Sequence, residues 1–294
     1  MARPSSITLA RNEILAEFSK ASQKIYSQAQ LANVLLHNRS SWHLAKGTTL
    51  LDFISFLTRH GNLKAHKFRS KTYGREIIRY SWHATSPLEL ALSLKPRAYL
   101  CHGTAAMLHG LIKQGAKTIY VNAEQSVKPS NNSLPTQDGI NRAFFGKQRQ
   151  SNLIYTYNGL SFVMISGKNT NRLGVEESPG IASEALQVTN VERTLIDIVV
   201  RPAYAGGISQ VYKAYRTAKD RVSVDRLLTT LKRLDYTYPY HQSIGFLMQK
   251  TGYPVKSYAK LHALGLENDF YLTHALREPE YSQEWRMFYP KELK

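Results

Sequence analysis

Cysteine is almost absent from this sequence, since Cys101 is the single one among 294 residues. One cysteine excludes an internal disulfide, so we expect the chain to work in a reducing compartment. Long apolar runs are absent as well. No stretch approaches the roughly 18 residues that span a bilayer, and the first residues lack the apolar centre of a secretory signal. We therefore expect a cytoplasmic protein that has no membrane partner.

Acidic residues are scarce relative to basic ones. The chain has 39 Lys and Arg against 21 Asp and Glu, which gives a net charge of +18 and a pI near 9.9. Such an excess favours a polyanionic partner, most often nucleic acid, although charge kept only for solubility is an alternative. The apolar fraction of 43% and the charged fraction of 20% are those of a folded protein, and 294 residues are enough for two domains.

The stretch HATSPLELALSLKPR, residues 83–97, divides the chain. Ser86, Pro87 and Glu89 have the spacing of a capping box with proline in the first helical turn, and Pro96 cannot continue the helix. The pattern predicts a short helix over about 87–94 that connects two unlike parts. We predict one domain over residues 1–84, denser in positive charge, and a larger domain over residues 85–294.

The first domain has the pattern of a winged helix-turn-helix. Apolar spacing predicts helices over about 7–20 and 48–60, and SQAQLANVLLHN between them begins with a Ser27–Gln30 capping box. After Gly61 the pattern changes to short extended runs, which predict a hairpin. Three helices followed by a hairpin is the order of a winged helix, whose third helix enters the major groove of DNA. A small helical bundle with a solvated basic hairpin, or a protein-docking module, is the alternative.

Eight residues of this domain are candidates for DNA contact. Cations near the hairpin tip should bind phosphates, which gives affinity without sequence readout, whereas short hydroxyl side chains of the third helix can reach base edges. Asp52 could accept a hydrogen bond from a cytosine amino group or pair internally with a cation. The predicted phosphate contacts are Arg59, Lys67, Arg69, Lys71 and Arg75, and the predicted base contacts are Thr48, Thr49 and Ser55.

The larger domain begins with strands and ends with helices. LIYTYNGLSFVMIS (153–166) has Asn158-Gly159 between two runs of aromatic and branched residues, the signature of a two-residue hairpin. Roughly the last hundred residues have the apolar spacing of several helices. Strands first and helices afterwards predict a larger mixed α/β domain, and an α+β class for the whole chain.

The stretch TNVERTLIDIVVRP, residues 189–202, places charges in an otherwise apolar run. Thr189 and Glu192 have capping-box spacing, and Arg193 and Asp197 can pair along the helix surface or against a neighbouring element. Glu192 and Asp197 lie about 140° apart around a helix, so they cannot act as a carboxylate pair. We interpret these charges as scaffolding and predict no catalytic residues.

Two other patterns indicate binding chemistry only weakly. Cys101, His102 and His109 resemble a fragment of a metal site, but a fourth ligand is not evident. Gly206-Gly207 before a helix could hold a phosphate through free amides, although a Walker-type lysine and serine are missing. We therefore predict neither a metal nor a cofactor.

Four segments of the chain resemble the AbiEi family of antitoxins, and they occur in the order found in that family. VERTLIDIVVRP followed by GG is the most specific element, and with the winged helix the resemblance covers nearly the whole chain. The segments are AYLCHGTAAMLHGL, KQRQSNLIYTYNGLSFVMISGK, QVTNVERTLIDIVVRPAYAGG and HQSIGFLMQKTG. The closing EWRMFYPKEL is also similar.

The resemblance implies a type IV toxin–antitoxin module. In such modules the winged helix binds inverted repeats in double-stranded DNA upstream of its own operon and represses transcription. The C-terminal domain opposes a cognate AbiEii-like toxin of nucleotidyltransferase fold, and a stable complex is not required. On charge alone, Lys213, Arg216 and Lys219 are candidates for a surface that faces the toxin or its nucleic-acid substrate.

Two other functions remain open at this point. The chain could be a winged-helix transcriptional regulator whose larger domain binds a ligand or effector. It could also be an enzyme, such as a nucleic-acid hydrolase or a nucleotide-binding transferase, because catalytic groups can assemble from distant residues.

Overall fold

The fold is α+β, and the computed structural model describes residues 4–113, 117–127, 135–178 and 185–293. The elements of the first part are α1 (Ser6–Leu9), α2 (Arg11–Lys20), β1 (Ile25–Ser27), α3 (Gln28–Asn38), α4 (Leu50–His60), β2 (Leu63–Ser70) and β3 (Glu76–Trp82). The next elements are α5 (Pro87–Leu92), β4 (Tyr99–Leu100), α6 (His102–Leu108), β5 (Thr118–Asn122), α7 (Gln137–Phe145), β6 (Ile154–Tyr157), β7 (Leu160–Ile165), β8 (Val175–Ser178) and β9 (Leu186–Thr189).

The last part of the chain is mainly helical, as expected from its apolar spacing. A small three-stranded sheet near its end was not anticipated. The elements are α8 (Val191–Val200), a 3-10 turn (Pro202–Ala205), α9 (Ile208–Ala218), α10 (Val224–Leu234), α11 (Tyr240–Lys250), α12 (Val255–His262), β10 (Phe270–Tyr271), β11 (Glu280–Ser282), β12 (Met287–Tyr289) and a second 3-10 turn (Lys291–Leu293). In the described ranges, no helix has the length and apolar character needed to cross a membrane.

Helix α3 begins, and helix α4 ends, where the sequence predicts. Ser27 and Gln30 form the predicted capping box of α3, and the amide of Gly61 donates to Leu57 O at the end of α4. The helix expected over 7–20 is instead divided at Ala10 into α1 and α2. The short strand β1, which pairs antiparallel with β3, was not predicted.

A single nine-stranded sheet runs across the position proposed as the domain boundary. Its strand order is β1-β3-β2-β6-β7-β5-β4-β9-β8. The link between the two parts is the antiparallel pair β2–β6, in which Arg69 lies opposite Thr156 and Ser70 lies opposite Tyr155. The predicted β6–β7 hairpin is confirmed, and Asn158 and Gly159 both have positive φ, as this two-residue turn requires.

Three groups of buried apolar side chains form the cores. The first lies among α2, α3, α4 and the inner face of the β2–β3 hairpin, and includes Phe18, Phe53 and Trp82. The second lies under the central strands and includes Phe68 and Phe162. The third and largest surrounds α8, α9 and α11. Residues before and after position 84 therefore share the second core.

Candidate nucleic-acid interface

The two faces of the β2–β3 hairpin pack against different parts of the protein. Side chains alternate along a strand, so Leu63, Lys67 and Arg69 lie on one face of β2, and His66 and Phe68 lie on the other. Leu63 packs in the helical core, whereas Phe68 packs in the core of the central sheet. Lys67 and Arg69 therefore extend beyond the helical core on the side of the hairpin that carries the helices.

On the opposite face, His66 and Phe68 join the hairpin to the central sheet. His66 Nδ1 lies 2.7 Å from the Tyr157 hydroxyl, and Nε2 lies 2.8 Å from Ser81 Oγ. Burial lowers the pKa of His66, so the neutral ring is the form that bridges these hydroxyls. Phe68 packs edge-on against Phe162, with ring centroids 5.1 Å apart.

The tip of the hairpin is fixed by hydrogen bonds to the start of β6 and to the loop that precedes β6. Lys71 N donates to Ile154 O at 2.9 Å, and Thr72 Oγ1 donates to Asn152 O at 2.7 Å. Local sequence patterns did not indicate these contacts, because Thr72 and Asn152 are 80 positions apart. The basic residues at the tip are consequently held by the second part of the chain.

Four of the five predicted phosphate contacts have exposed side chains that form no ion pair within the described residues. They are Arg59, Lys67, Lys71 and Arg75. Arg69 differs, because its Nε lies 2.9 Å from Glu76 Oε1 directly across the hairpin. Both side chains are exposed, so this pair contributes little to stability and can open, but Glu76 compensates part of the Arg69 charge.

Helix α4 begins with a capping box that was not predicted from the sequence. Asp52 N donates to Thr49 Oγ1 at 3.2 Å, and Thr49 N donates to Asp52 Oδ2 at 2.9 Å. The Thr49 hydroxyl also donates to Asp52 Oδ2 at 2.7 Å, and these bonds lower the pKa of Asp52. Asp52 therefore completes the capping box in which Thr49 is the cap. This accounts for Asp52 without a contact to cytosine or an ion pair.

Among the residues that the structure describes, the side-chain hydroxyls of the other two predicted base contacts are not engaged in hydrogen bonds as that of Thr49 is. Ser55 is exposed on α4 and makes no side-chain hydrogen bond within the described residues. Thr48 is half-buried just before the helix, and its carbonyl accepts a hydrogen bond from the Arg39 guanidinium at 2.8 Å. Ser55 is thus the hydroxyl on this face that is open to a partner.

The predicted capping box of Thr189 and Glu192 is wrong. The cap of α8 is Asn190, whose side-chain oxygen accepts a hydrogen bond from Arg193 N at 2.9 Å. Asn caps helices as well as Thr does, so spacing alone could not choose between the two neighbours. The Glu192 carboxylate instead accepts from Ser223 N at 2.9 Å, where α10 begins.

Arg193 and Asp197 form an ion pair inside the protein rather than on the helix surface. Arg193 Nε donates to Asp197 Oδ1 at 2.7 Å, and the two side chains are 6% and 5% exposed. A second guanidinium nitrogen donates to Leu173 O at 2.8 Å. Burial disfavours the guanidinium charge, but the interactions with Asp197, Tyr236 and Tyr99 together outweigh this effect and raise the pKa of Arg193. The pair joins α8 to the segment before β8.

The histidines near Cys101 contact separate partners. His102 Nδ1 lies 3.0 Å from Cys101 Sγ, and burial lowers the pKa of His102 to about 4. His109 Nε2 lies 2.6 Å from Thr189 O. Among the described residues, no group of three or more His, Cys, Asp or Glu side chains is placed to hold a metal ion.

The Gly206-Gly207 pair is a tight turn rather than a phosphate loop. Both residues have positive φ, 85° and 96°, which favours glycine. The amides of Gly206 and Gly207 both donate to Pro202 O. These amides are therefore already satisfied before α9 begins.

The three cations proposed to face the toxin are exposed on one side of α9 and its end. Lys213 and Arg216 lie in the helix, and Lys219 follows its last residue. Their spacing of three places them in a row along the surface. In the part of the chain that the structure describes, none of the three forms an ion pair.

The fold is similar to that in a crystal structure of the RV2827C protein from Mycobacterium tuberculosis. The two match with a TM-score of 0.56 at 15% sequence identity, over 95% of this chain and 91% of that one. No protein-family model and no curated protein sequence matches the chain. At this identity, the likeness shows a shared fold.

Breaking the buried ion pair should destabilise the fold. We expect Asp197→Asn and Arg193→Met each to lower the free energy of unfolding by about 3–5 kcal/mol, because each leaves one buried charge without its partner. The double variant should lose less than the sum of the two, since it removes both charges. Urea unfolding followed by circular dichroism measures all three.

Glu278→Gln is the matched control, because it breaks an exposed pair with Lys291. We expect it to change the free energy of unfolding by less than about 0.5 kcal/mol. Asp197→Asn and Arg193→Met variants as stable as this control would contradict the structural role of the buried pair.

Proposed function

We propose that the chain is a cytoplasmic, AbiEi-like type IV antitoxin with two activities. Its first part binds operator DNA and represses its own operon, and its second part counteracts a cognate nucleotidyltransferase-fold toxin. The observation that carries the DNA-binding half is a set of exposed cations that form no ion pair within the described residues. They are Lys67 on β2, Lys71 and Arg75 at the fixed hairpin tip, and Arg59 in the last turn of α4.

The order of elements supports a winged-helix reading of the first part. Two helices, a strand, two further helices and a hairpin follow one another, and β1 pairs with β3 at the edge of the hairpin. In that reading α4 lies in the major groove, which is about 12 Å wide and accepts a helix. Ser55 then faces the bases, while the cations of the hairpin bind the sugar-phosphate backbone.

The cap of α4 limits what Thr49 can contribute to base recognition. Its hydroxyl hydrogen already points to Asp52 Oδ2, so a base could reach only its remaining lone pair or its methyl group. Thr49 then acts mainly by ordering the first turn of the recognition helix. Thr48 and Ser55 carry the proposed readout of bases.

The antitoxin half rests on the four segments that resemble the AbiEi family and on the structural roles of the charges in one of them. Glu192, Arg193 and Asp197 are buried and hydrogen-bonded to the scaffold, which favours a protein that acts by binding. The row formed by Lys213, Arg216 and Lys219 is the surface proposed to meet the toxin or the nucleic acid on which the toxin acts.

Neutralising the hairpin should weaken DNA binding through its electrostatic component. For the wild-type chain we expect a log–log salt slope of about −4 to −5, which corresponds to about five phosphates. The triple variant Lys67→Gln/Lys71→Gln/Arg75→Gln removes three of them, so the slope should fall to about −2. Fluorescence anisotropy on the DNA upstream of the operon, at increasing salt, measures the slope.

A matched control removes the same charge from exposed positions elsewhere. Lys232→Gln/Lys256→Gln/Arg277→Gln should leave the slope unchanged, because none of these side chains lies on the proposed interface. A wild-type slope near zero would exclude DNA binding of this kind. An equal decrease of the slope in the two triple variants would show that the hairpin has no special part in DNA binding.

The two activities should separate in the full-length chain. Deleting residues 1–84 is not a clean test, because it removes β2 from β6 and uncovers Phe162. With the toxin expressed from an independent promoter, the hairpin variant should still restore growth. The charge reversal Lys213→Glu/Arg216→Glu/Lys219→Glu should abolish rescue while DNA binding persists.

The control for rescue is Lys232→Glu/Lys256→Glu/Arg277→Glu, which makes the same change in charge on another surface. It should restore growth as well as the wild-type chain does at equal expression. Full rescue by the α9 reversal would remove that surface from the proposal. Failure of the hairpin variant to rescue would contradict separate surfaces.

A further inference from the structure

A basic cavity of about 440 Å³ lies in the second part of the chain, and its lining includes none of the residues proposed to contact DNA or the toxin. Its walls come from the end of α7, segment 146–149, the end of α8, the segment between α10 and α11, and His274 after β10. Four of its described lining residues are cations, and no described lining residue is Asp or Glu. The cations are Arg142, Lys147, Arg149 and Arg201.

The positive charge of this cavity is not compensated by the described residues around it. None of the four cations takes part in an ion pair within the described ranges. Arg201 donates to Arg149 O at 2.7 Å, so a backbone oxygen positions its guanidinium while its charge remains. Burial and the Arg201 charge both lower the pKa of His274 on the cavity wall, which indicates that the site disfavours a further cation.

The other side of the cavity is aromatic. The Phe144 ring stacks with the His274 ring at a centroid distance of 4.3 Å, and Tyr238 meets Phe144 edge-on at 5.4 Å. Tyr240 also lines the cavity and adds a hydroxyl. Phe144 itself is buried, so the partly exposed rings of this wall are those of Tyr238 and His274. Aromatic faces stack with nucleic-acid bases irrespective of sequence.

We propose that this cavity binds a nucleotide, with its phosphates on the cations and its base against the aromatic wall. Arginine recognises phosphate oxygens through paired N–H donors, and unpaired cations in a partly enclosed site favour a ligand with several negative charges. A cavity of 440 Å³ lies within the range of about 300–1,000 Å³ that is usual for small-ligand sites. This binding activity goes beyond the proposed DNA and antitoxin functions and does not depend on either.

The site assembles residues that are far apart in the sequence. Lys147 and Arg149 belong to the KQRQ run, and Arg201 follows α8 in the sequence VVRP. The helical packing of α8 accounts for its buried charges but not for Arg201, which lines the cavity. Nucleotide binding gives these cations a common role.

Equilibrium binding by the full-length chain tests the proposal. Isothermal titration calorimetry at low salt would compare the four ribonucleoside triphosphates, inorganic pyrophosphate and adenosine. At least one triphosphate should bind more tightly than pyrophosphate, because the base adds contact with the aromatic wall, and adenosine should bind weakest. No detectable binding of any triphosphate, or pyrophosphate binding as tightly as the best triphosphate, would overturn the proposal.

Two sources could supply the nucleotide, and a further pair of ligands distinguishes them. Tighter binding of a 5′-phosphorylated single-stranded hexanucleotide than of its unphosphorylated form and of the triphosphates would assign the site to the end of a nucleic-acid strand. Tighter binding of a triphosphate would assign it to the free nucleotide. Either result supports the nucleotide site.

Variants then locate the binding. Lys147→Gln/Arg149→Gln should weaken the best ligand by at least about tenfold, since each charged hydrogen bond contributes more than a neutral one, and Arg142→Gln should weaken it separately. Lys232→Gln/Lys256→Gln removes the same charge from exposed sites elsewhere and should have an effect of less than about twofold. Equal losses in the two double variants would place the ligand on the general basic surface and overturn the proposal. Thermal unfolding confirms that each variant is folded.

Discussion

The β2–β3 hairpin packs against two cores at once, and the arrangement of the rest of the chain depends on this double burial. Leu63, Tyr80 and Trp82 face the helices of the first part, whereas Phe68 and Ile77 face the central sheet. The close packing on the helical side is apparent at Gly61, where a Cβ would lie 2.5 Å from the Trp82 ring. The hairpin is therefore a wall shared by the two parts.

This shared wall determines how the proposed DNA-binding surface is presented. In a free wing the tip would have to be ordered on binding, which costs conformational entropy. Here the backbone of Lys71 is hydrogen-bonded to Ile154, and Thr72 is hydrogen-bonded to Asn152. Lys67, Lys71 and Arg75 consequently extend from a backbone that is already ordered. The same bonds join the hairpin to the second part of the chain, which carries the proposed antitoxin surface.

Local patterns in the sequence predicted local structure well. The capping box of Ser27 and the Asn158-Gly159 turn are present as expected, because both depend on residues within a few positions of each other. Spacing failed where two neighbours could do the same work, as when Asn190 rather than Thr189 capped α8.

What the sequence could not indicate was contact between distant segments. The pairing of β2 with β6 and the burial of the Arg193–Asp197 pair both depend on packing across the whole fold. The basic cavity is of the same kind, since Arg149 and Arg201 meet only after α7 and α8 have packed. The KQRQ run carried the one local signal for it, two cations within three residues.

Hydrogen exchange of the full-length Phe68→Ala variant tests the shared wall most directly. Phe68 is fully buried, and its truncation should lower stability by about 3–5 kcal/mol. If the hairpin serves both cores, amides of residues 63–82 and of residues 154–165 should lose protection together, while Leu36→Ala on the exposed side of α3 leaves both segments unchanged. Loss of protection confined to residues 63–82, with residues 154–165 as protected as before, would contradict the account.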